Sequence, residues 1–195
     1  MTTRPPPSLR PAARPVLALT FLLPWACLAT EPAITTARSQ SGFRFERIPA
    51  PAIDDAAAKA KVELIDGRRD NNGGAATVLL DGLVPPNEDA PAANFFFAAG
   101  TDGGRLRLDL AAATEVGSIA TYSWHRGTRA PQVYTLWAAS GEAPGFDPAP
   151  ARTVDPASVG WTLLGEVDTR PAGDGGQHAT LVSAPGGAAL GSFRH

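Results

Sequence analysis

The stretch YSWHRGTRAPQVYTLWAAS, Tyr122 to Ser140, gathers aromatics, a histidine and two arginines around a Gly-Thr turn. Sugars are held by planar polar side chains beside an aromatic face, because a hydroxyl pair matches a guanidinium or amide edge. His125, Arg126 and Arg129 fall in the connection HRGTRAP and Trp124 at the end of the preceding strand, so they form the first candidate ligand-binding set. The competing readings are a solvated hairpin tip for the three loop residues and a core position for Trp124. Tyr122, Tyr134 and Trp137 read as core or cross-strand aromatics.

Catalytic signals are sparse. The histidines are His125, His178 and His195, and no His-Glu-x-x-His, Cys-x-x-Cys or Gly-x-Ser-x-Gly occurs. A glycosidase needs two facing carboxylates, one with its pKa raised by burial. Glu63 and Glu166 alternate with apolar residues and read as solvated. The clusters GTDGG and GGAALG lack the Lys-Ser/Thr of a phosphate loop and read as turns. The expectation is therefore a non-enzymatic chain, with a hydrolase built on an unrecognised carboxylate pair as the weakest alternative.

The elements that must position these residues are short strands. Candidates are Phe43 to Arg47, Val62 to Asp66, Thr77 to Leu80, Asn94 to Ala98, Arg105 to Leu110, Val116 to Trp124, Gln132 to Ala138, Trp161 to Val167, His178 to Ser183 and Leu190 to Arg194. Turn chemistry separates them: DNNGG, DG, PPNEDAP, GTDGG, RGTR. In RLRLDL the leucines 106, 108 and 110 share one face, and Arg105, Arg107 and Asp109 the other. Val116 to Trp124 and Gln132 to Ala138 read as an antiparallel hairpin. Asp54 to Lys61 is the one helical signal, with aspartates first and lysines last. Residues 141 to 158 form a Pro-rich excursion of a length that marks a functional or mobile loop. Strands at this spacing predict an all-β sandwich or barrel with one short N-terminal helix.

Composition agrees. Gly 20 and Pro 19 make a fifth of the 195 residues. Residues 1–29 read as a secretory signal: Arg4, Arg10 and Arg14, then an apolar run, then Cys27-Leu28-Ala29 before the cut. The alternative is a lipoprotein signal ending at Cys27. Cleavage after Ala29 leaves 166 of the 195 residues, one domain's worth, with 14 Lys+Arg against 19 Asp+Glu and no cysteine. That mildly acidic balance argues against nucleic acid or an anionic membrane as partner. The segment 30–41 reads as a polar linker, and the expected location is secreted, periplasmic or at the cell surface.

The ordered series VELIDGRRD, LLDG, GGRLRLDL, VGSIATYSWHRGTRAPQVYTLWAAS, GWTLLGEVDT and GGQHATLV resembles the galactose-binding-like superfamily, specifically discoidin-like (coagulation factor type C) modules of secreted bacterial proteins. The resemblance covers residues 42–195 and implies a jelly-roll β-sandwich that binds a glycan or cell-surface polysaccharide through loops at one end. A structural or adhesive protein-interaction module is the alternative it leaves open. It also implies a structural calcium near the DG loop, with Asp81 as a ligand; the competing reading of Asp81-Gly82 is a plain hairpin turn. Two departures stand out. DLAAAT replaces an expected Asp-Leu-Gly, and the chain stops at GSFRH, where the family's closing strand begins or continues. The expectation is either a fold trimmed of that strand or a truncated product, and a missing strand would expose sheet edges.

Overall fold

A computed structural model describes residues 1–2, 31–39 and 41–195. The signal reading of 1–29, Cys27 included, falls outside these residues apart from the first two. No helix among the described residues is long and apolar enough to cross a membrane.

The chain is all-β, with antiparallel pairing throughout. The strands are β1 Ala33–Ser39, β2 Lys61–Asp66, β3 Arg105–Asp109, β4 Thr114–Val116, β5 Ser118–His125, β6 Val133–Ala138, β7 Thr162–Asp168, β8 Gly176–Ser183 and β9 Gly191–Phe193. β8 lies between β1 and β5, while β2 pairs with β3, β4 with β9 and β6 with β7. β8 is the most buried strand because it is covered on both edges. His178, Thr180 and Val182 share its inner face and are 0% exposed.

Val182 of β8 and Ile119 of β5 meet Tyr134, Leu136, Ala138, Leu164 and Val167 of the β6–β7 pair, closed by Leu190 and Phe193. A polar layer continues this core. The hydroxyls of Thr121, Tyr134 and Thr180 lie 2.8–2.9 Å apart, and Gln132 joins them through Thr121, Ser123 and the His178 carbonyl. Each buried hydroxyl satisfies another, which removes the penalty of an unpaired polar group.

Several sequence expectations change. The 30–41 segment contains β1, paired along its whole length with β8. The polar look of ITTARS is that of an edge strand with one open face. The expected helix is a single 3-10 turn, Ala56–Lys59. Asp55 caps it by accepting from the Ala58 N–H at 3.1 Å, but Ala60 is already extended toward β2. The expected strand Thr77 to Leu80 is instead a 3-10 turn, Ala76–Leu79, and Asn94 to Ala98 is irregular with one bridge, Arg69↔Phe97. Phe43 to Arg47 is not a strand. It lies across the outer face of β5 and β8, where the Phe43 N–H donates to buried Gln177 at 2.7 Å.

The hairpin also fails. β5 pairs with β8 and β6 with β7. A 3-10 turn at Gly127–Arg129, with Gly127 at φ +59°, and Pro131 after it carry the chain out of the sheet. Such a connection is too long and irregular for a two-residue hairpin turn. The C-terminal segment joins three regions. β9 pairs with β4, the Leu110 N–H donates to the Arg194 carbonyl at 2.8 Å, and Ala139 exchanges backbone bonds with Arg194 and His195 at 2.8–2.9 Å.

Candidate functional site

The alternation read in RLRLDL holds, but its polar face is covered as well as its leucine face, where Leu106 and Leu110 are half-buried. Leu108 is 36% exposed, whereas Arg105, Arg107 and Asp109 are half-buried beneath the 141–158 excursion. Arg105 fastens that excursion. Its two terminal nitrogens donate to the carbonyls of Pro150, Ala151, Arg152 and Val154 at 2.9–3.1 Å. A guanidinium presents its donors in a planar fork, so one side chain can bind four carbonyls of a turn. The Trp161 indole N–H adds a bond to the Asp147 carbonyl at 2.9 Å.

Between this fastened loop, the ends of β3 and β6, and the C-terminal segment lies an open cavity of about 430 Å3. Its walls include Arg107, Asp109, Ser140, Glu142, Phe146 and Arg194, with His195 behind them. Arg194 holds Asp109 in a bidentate pair at 2.9 and 3.1 Å. That guanidinium keeps the Asp109 carboxyl well below the usual carboxylate range, helped by the Ala111 N–H and opposed by burial. Arg107 donates to Glu63 at 2.6 Å and to the Pro148 carbonyl at 3.2 Å. His195 stacks on Phe146 with centroids 5.3 Å apart and planes at 23°. Burial pushes its pKa down, against the pull of Asp109. The cavity thus presents fixed guanidinium edges, a fixed carboxylate and an aromatic wall.

Ala111, on the same wall, has φ +67°, one of two non-glycine residues in the left-handed region among the described residues. It sits where the resemblance expects the glycine of Asp-Leu-Gly. The Asp109 carboxylate holds the turn by accepting from the Ala111 N–H at 2.8 Å.

Neither this cavity nor a second one, lined by residues 68–72 and 98–99, includes a residue of the sequence-predicted set. Trp124 is half-buried and packs edge-on against Phe43, centroids 5.7 Å apart, and its backbone is clasped by the buried Asn94 amide. His125 is the last residue of β5 and 3% exposed, edge-on to Phe96 at 5.5 Å. It was read as a loop residue because the strand continues one position past Trp124. Arg126 is exposed and paired with Asp89 at 2.9 Å. Arg129 is exposed at the tip. Asp81 is exposed, and its Oδ1 accepts from the Leu83 N–H at 2.9 Å, the geometry of an Asx turn. Among the described residues no group of three or more His, Cys, Asp or Glu gathers around a metal position.

The cavity residues were missed because the polar face of β3 reads as solvent-facing. The signals for them were the long excursion and the polar residues spaced by two at Arg105, Arg107 and Asp109. No family model, no curated protein and no solved structure matches this chain.

Proposed function

We propose that this chain is a secreted, non-catalytic carbohydrate-binding module on a discoidin-like jelly-roll sandwich, with its site in the cavity between β3, the 141–158 loop and the C-terminal segment. The observation that carries this reading is the set of fixed planar groups, Arg107 and the Arg194–Asp109 pair, beside the Phe146 wall in an open polar cavity. Sugar hydroxyls exchange hydrogen bonds with such edges, and prior fixing of the side chains lowers the entropy lost on binding. Two features speak against hydrolysis. Asp109 is held ionised by Arg194, and Glu142 is exposed, so neither has the apolar burial that makes a carboxyl a general acid. A structural calcium at Asp81, whose Oδ1 accepts from the Leu83 N–H at 2.9 Å, is a separate proposal that calcium titration of the purified chain tests.

A glycan array on the purified chain tests the reading. A sugar hit lost in Arg194→Ala and in Ser140→Trp, which fills the cavity mouth, supports it. A hit unchanged by both moves the site elsewhere. One observation favours protein contact as a second reading: Val133 and Leu163 on the β6–β7 pair are 57% and 46% exposed. Concentration-dependent sedimentation abolished by Val133→Lys and Leu163→Lys, with no glycan hit, would favour that adhesive role.

A further inference from the structure

A second cavity, about 240 Å3, lies away from the residues just described and is lined by Arg68, Arg69, Asp70, Asn71, Asn72 and neighbouring Ala98–Ala99. Its frame is rigid. Residues 68–70 run antiparallel to 96–98, with Ala98 N–H to the Arg68 carbonyl at 2.7 Å, Asp70 N–H to the Phe96 carbonyl at 2.9 Å, and the Arg69↔Phe97 bridge. The following turn is closed by Gly74 N–H to the Asn94 carbonyl at 2.7 Å. Gly73 and Gly74 are buried, and a side chain at Gly74 would collide with the Ala92 carbonyl.

The lining carries two cations against one carboxylate, Asp70. Among the described residues neither Arg68 nor Arg69 forms an ion pair; the acid–base contacts within 4.0 Å all involve other residues. Arg69 is half-buried and aimed by the Gly73 and Gly74 carbonyls, which fix its guanidinium without neutralising it. The one acid in the lining, Asp70, accepts from the Asn72 N–H at 2.8 Å to hold the turn. A partly desolvated cation without a counter-charge is where an anion gains most. Two guanidiniums and two amide edges in one concave frame match the oxygens of a carboxylate or sulfate.

We propose that this second cavity is an oxyanion subsite that takes the carboxylate or sulfate ester of an acidic polysaccharide. Arg68, exposed, makes the bidentate contact; Arg69 supplies fixed field; Asn71 and Asn72 hydrogen-bond the flanking hydroxyls. That the anion belongs to a polysaccharide rests on the carbohydrate-binding reading, while the residues are distinct from the first cavity, so the two sites can fail separately.

Titration of the 15N-labelled full chain with a galacturonate oligomer, a sulfated oligosaccharide, a neutral galactose oligomer, tetraglutamate and sodium sulfate at matched ionic strength tests it. The expected result is that at least one acidic oligosaccharide shifts the amides of Asn71, Asn72, Ala98 and Ala99. Its affinity falls about 10-fold in Arg68→Gln, as for a lost bidentate charge contact, and recovers partly in Arg68→Lys. Raising sodium chloride should weaken it. Equal shifts with the neutral oligomer, or an unchanged affinity in Arg68→Gln, would overturn the subsite. Equal affinity for tetraglutamate or for sulfate alone would overturn its assignment to a polysaccharide. Shifts confined to Ser140–Glu142 and Arg194 would leave the first cavity standing and sink the second. Arg68 is exposed, so its variants should fold, and an unchanged far-UV CD spectrum checks this.

Discussion

Arg105→Ala should release the loop that forms one wall of the first cavity. The side chain donates to four carbonyls between Pro150 and Val154. The bonds to Pro150 and Val154 are half-buried, and those to Ala151 and Arg152 are exposed. A charged donor contributes about 1.5 kcal/mol net per protected bond, and water replaces the exposed ones, so the loss should be about 3 kcal/mol. Urea unfolding at pH 7 should show a lower midpoint with an unchanged slope, since the surface exposed on unfolding stays the same. The Val154 N–H, bonded to the Ala151 carbonyl at 2.8 Å, should exchange about 10-fold faster as the turn opens locally. Arg105→Lys should recover less than half of the loss, because an ammonium cannot span four carbonyls. A loss under about 0.5 kcal/mol, the range of ordinary surface changes, with unchanged Val154 exchange would refute the clamp. The loop would then be held by its prolines and the Trp161 bond alone.

Three further outcomes follow from particular residues. Ala111→Gly should raise stability by about 0.5–1 kcal/mol, since relief of the φ +67° backbone outweighs the added freedom of glycine in the unfolded chain; a lower melting temperature would contradict it. Asn94→Leu should cost about 2–3 kcal/mol, because the amide bonds both the N–H and the carbonyl of Trp124 and nothing replaces it at that edge; chemical denaturation gives the value. Burial holds the His178 pKa below 6.5. The unfolded chain therefore takes up its proton first, and stability should fall as pH drops from about 7 to 5. His178→Gln should flatten that decline in a pH series of urea midpoints, and an equally steep decline in the variant would exclude His178 as its source.

Much of the architecture was legible. Period-two patterning marks β3, and turn-bounded candidate strands fall on β2 and β5 to β9, but in β7 the buried residues are Leu164 and Val167 and Leu163 faces out, because the register shifts there; the final strand places Phe193 against the core. What was not legible was pairing. The sequence neighbours β5 and β6 look like a hairpin, yet the turn at Gly127–Arg129 sends them to different partners, a decision made by a long-range match to β8. β1 was hidden because an edge strand with an open face carries threonine and arginine as a linker does. Binary patterning also says which residues share a face but not which face is covered. The Arg105–Arg107–Asp109 face reads as solvated until the 141–158 loop is seen folded over it. The short helix failed for a local reason, since eight residues that must deliver β2 have room for only one turn.

The most direct measurement is a map of amide shifts on the 15N-labelled chain, titrated with the strongest hit from the glycan array. The account predicts that Arg107, Asp109, Ser140, Gly141, Glu142 and Arg194 move together with one dissociation constant, while the tip at Arg126–Arg129 stays still. Shifts centred on Arg126–Arg129, with the cavity amides unmoved, would contradict it.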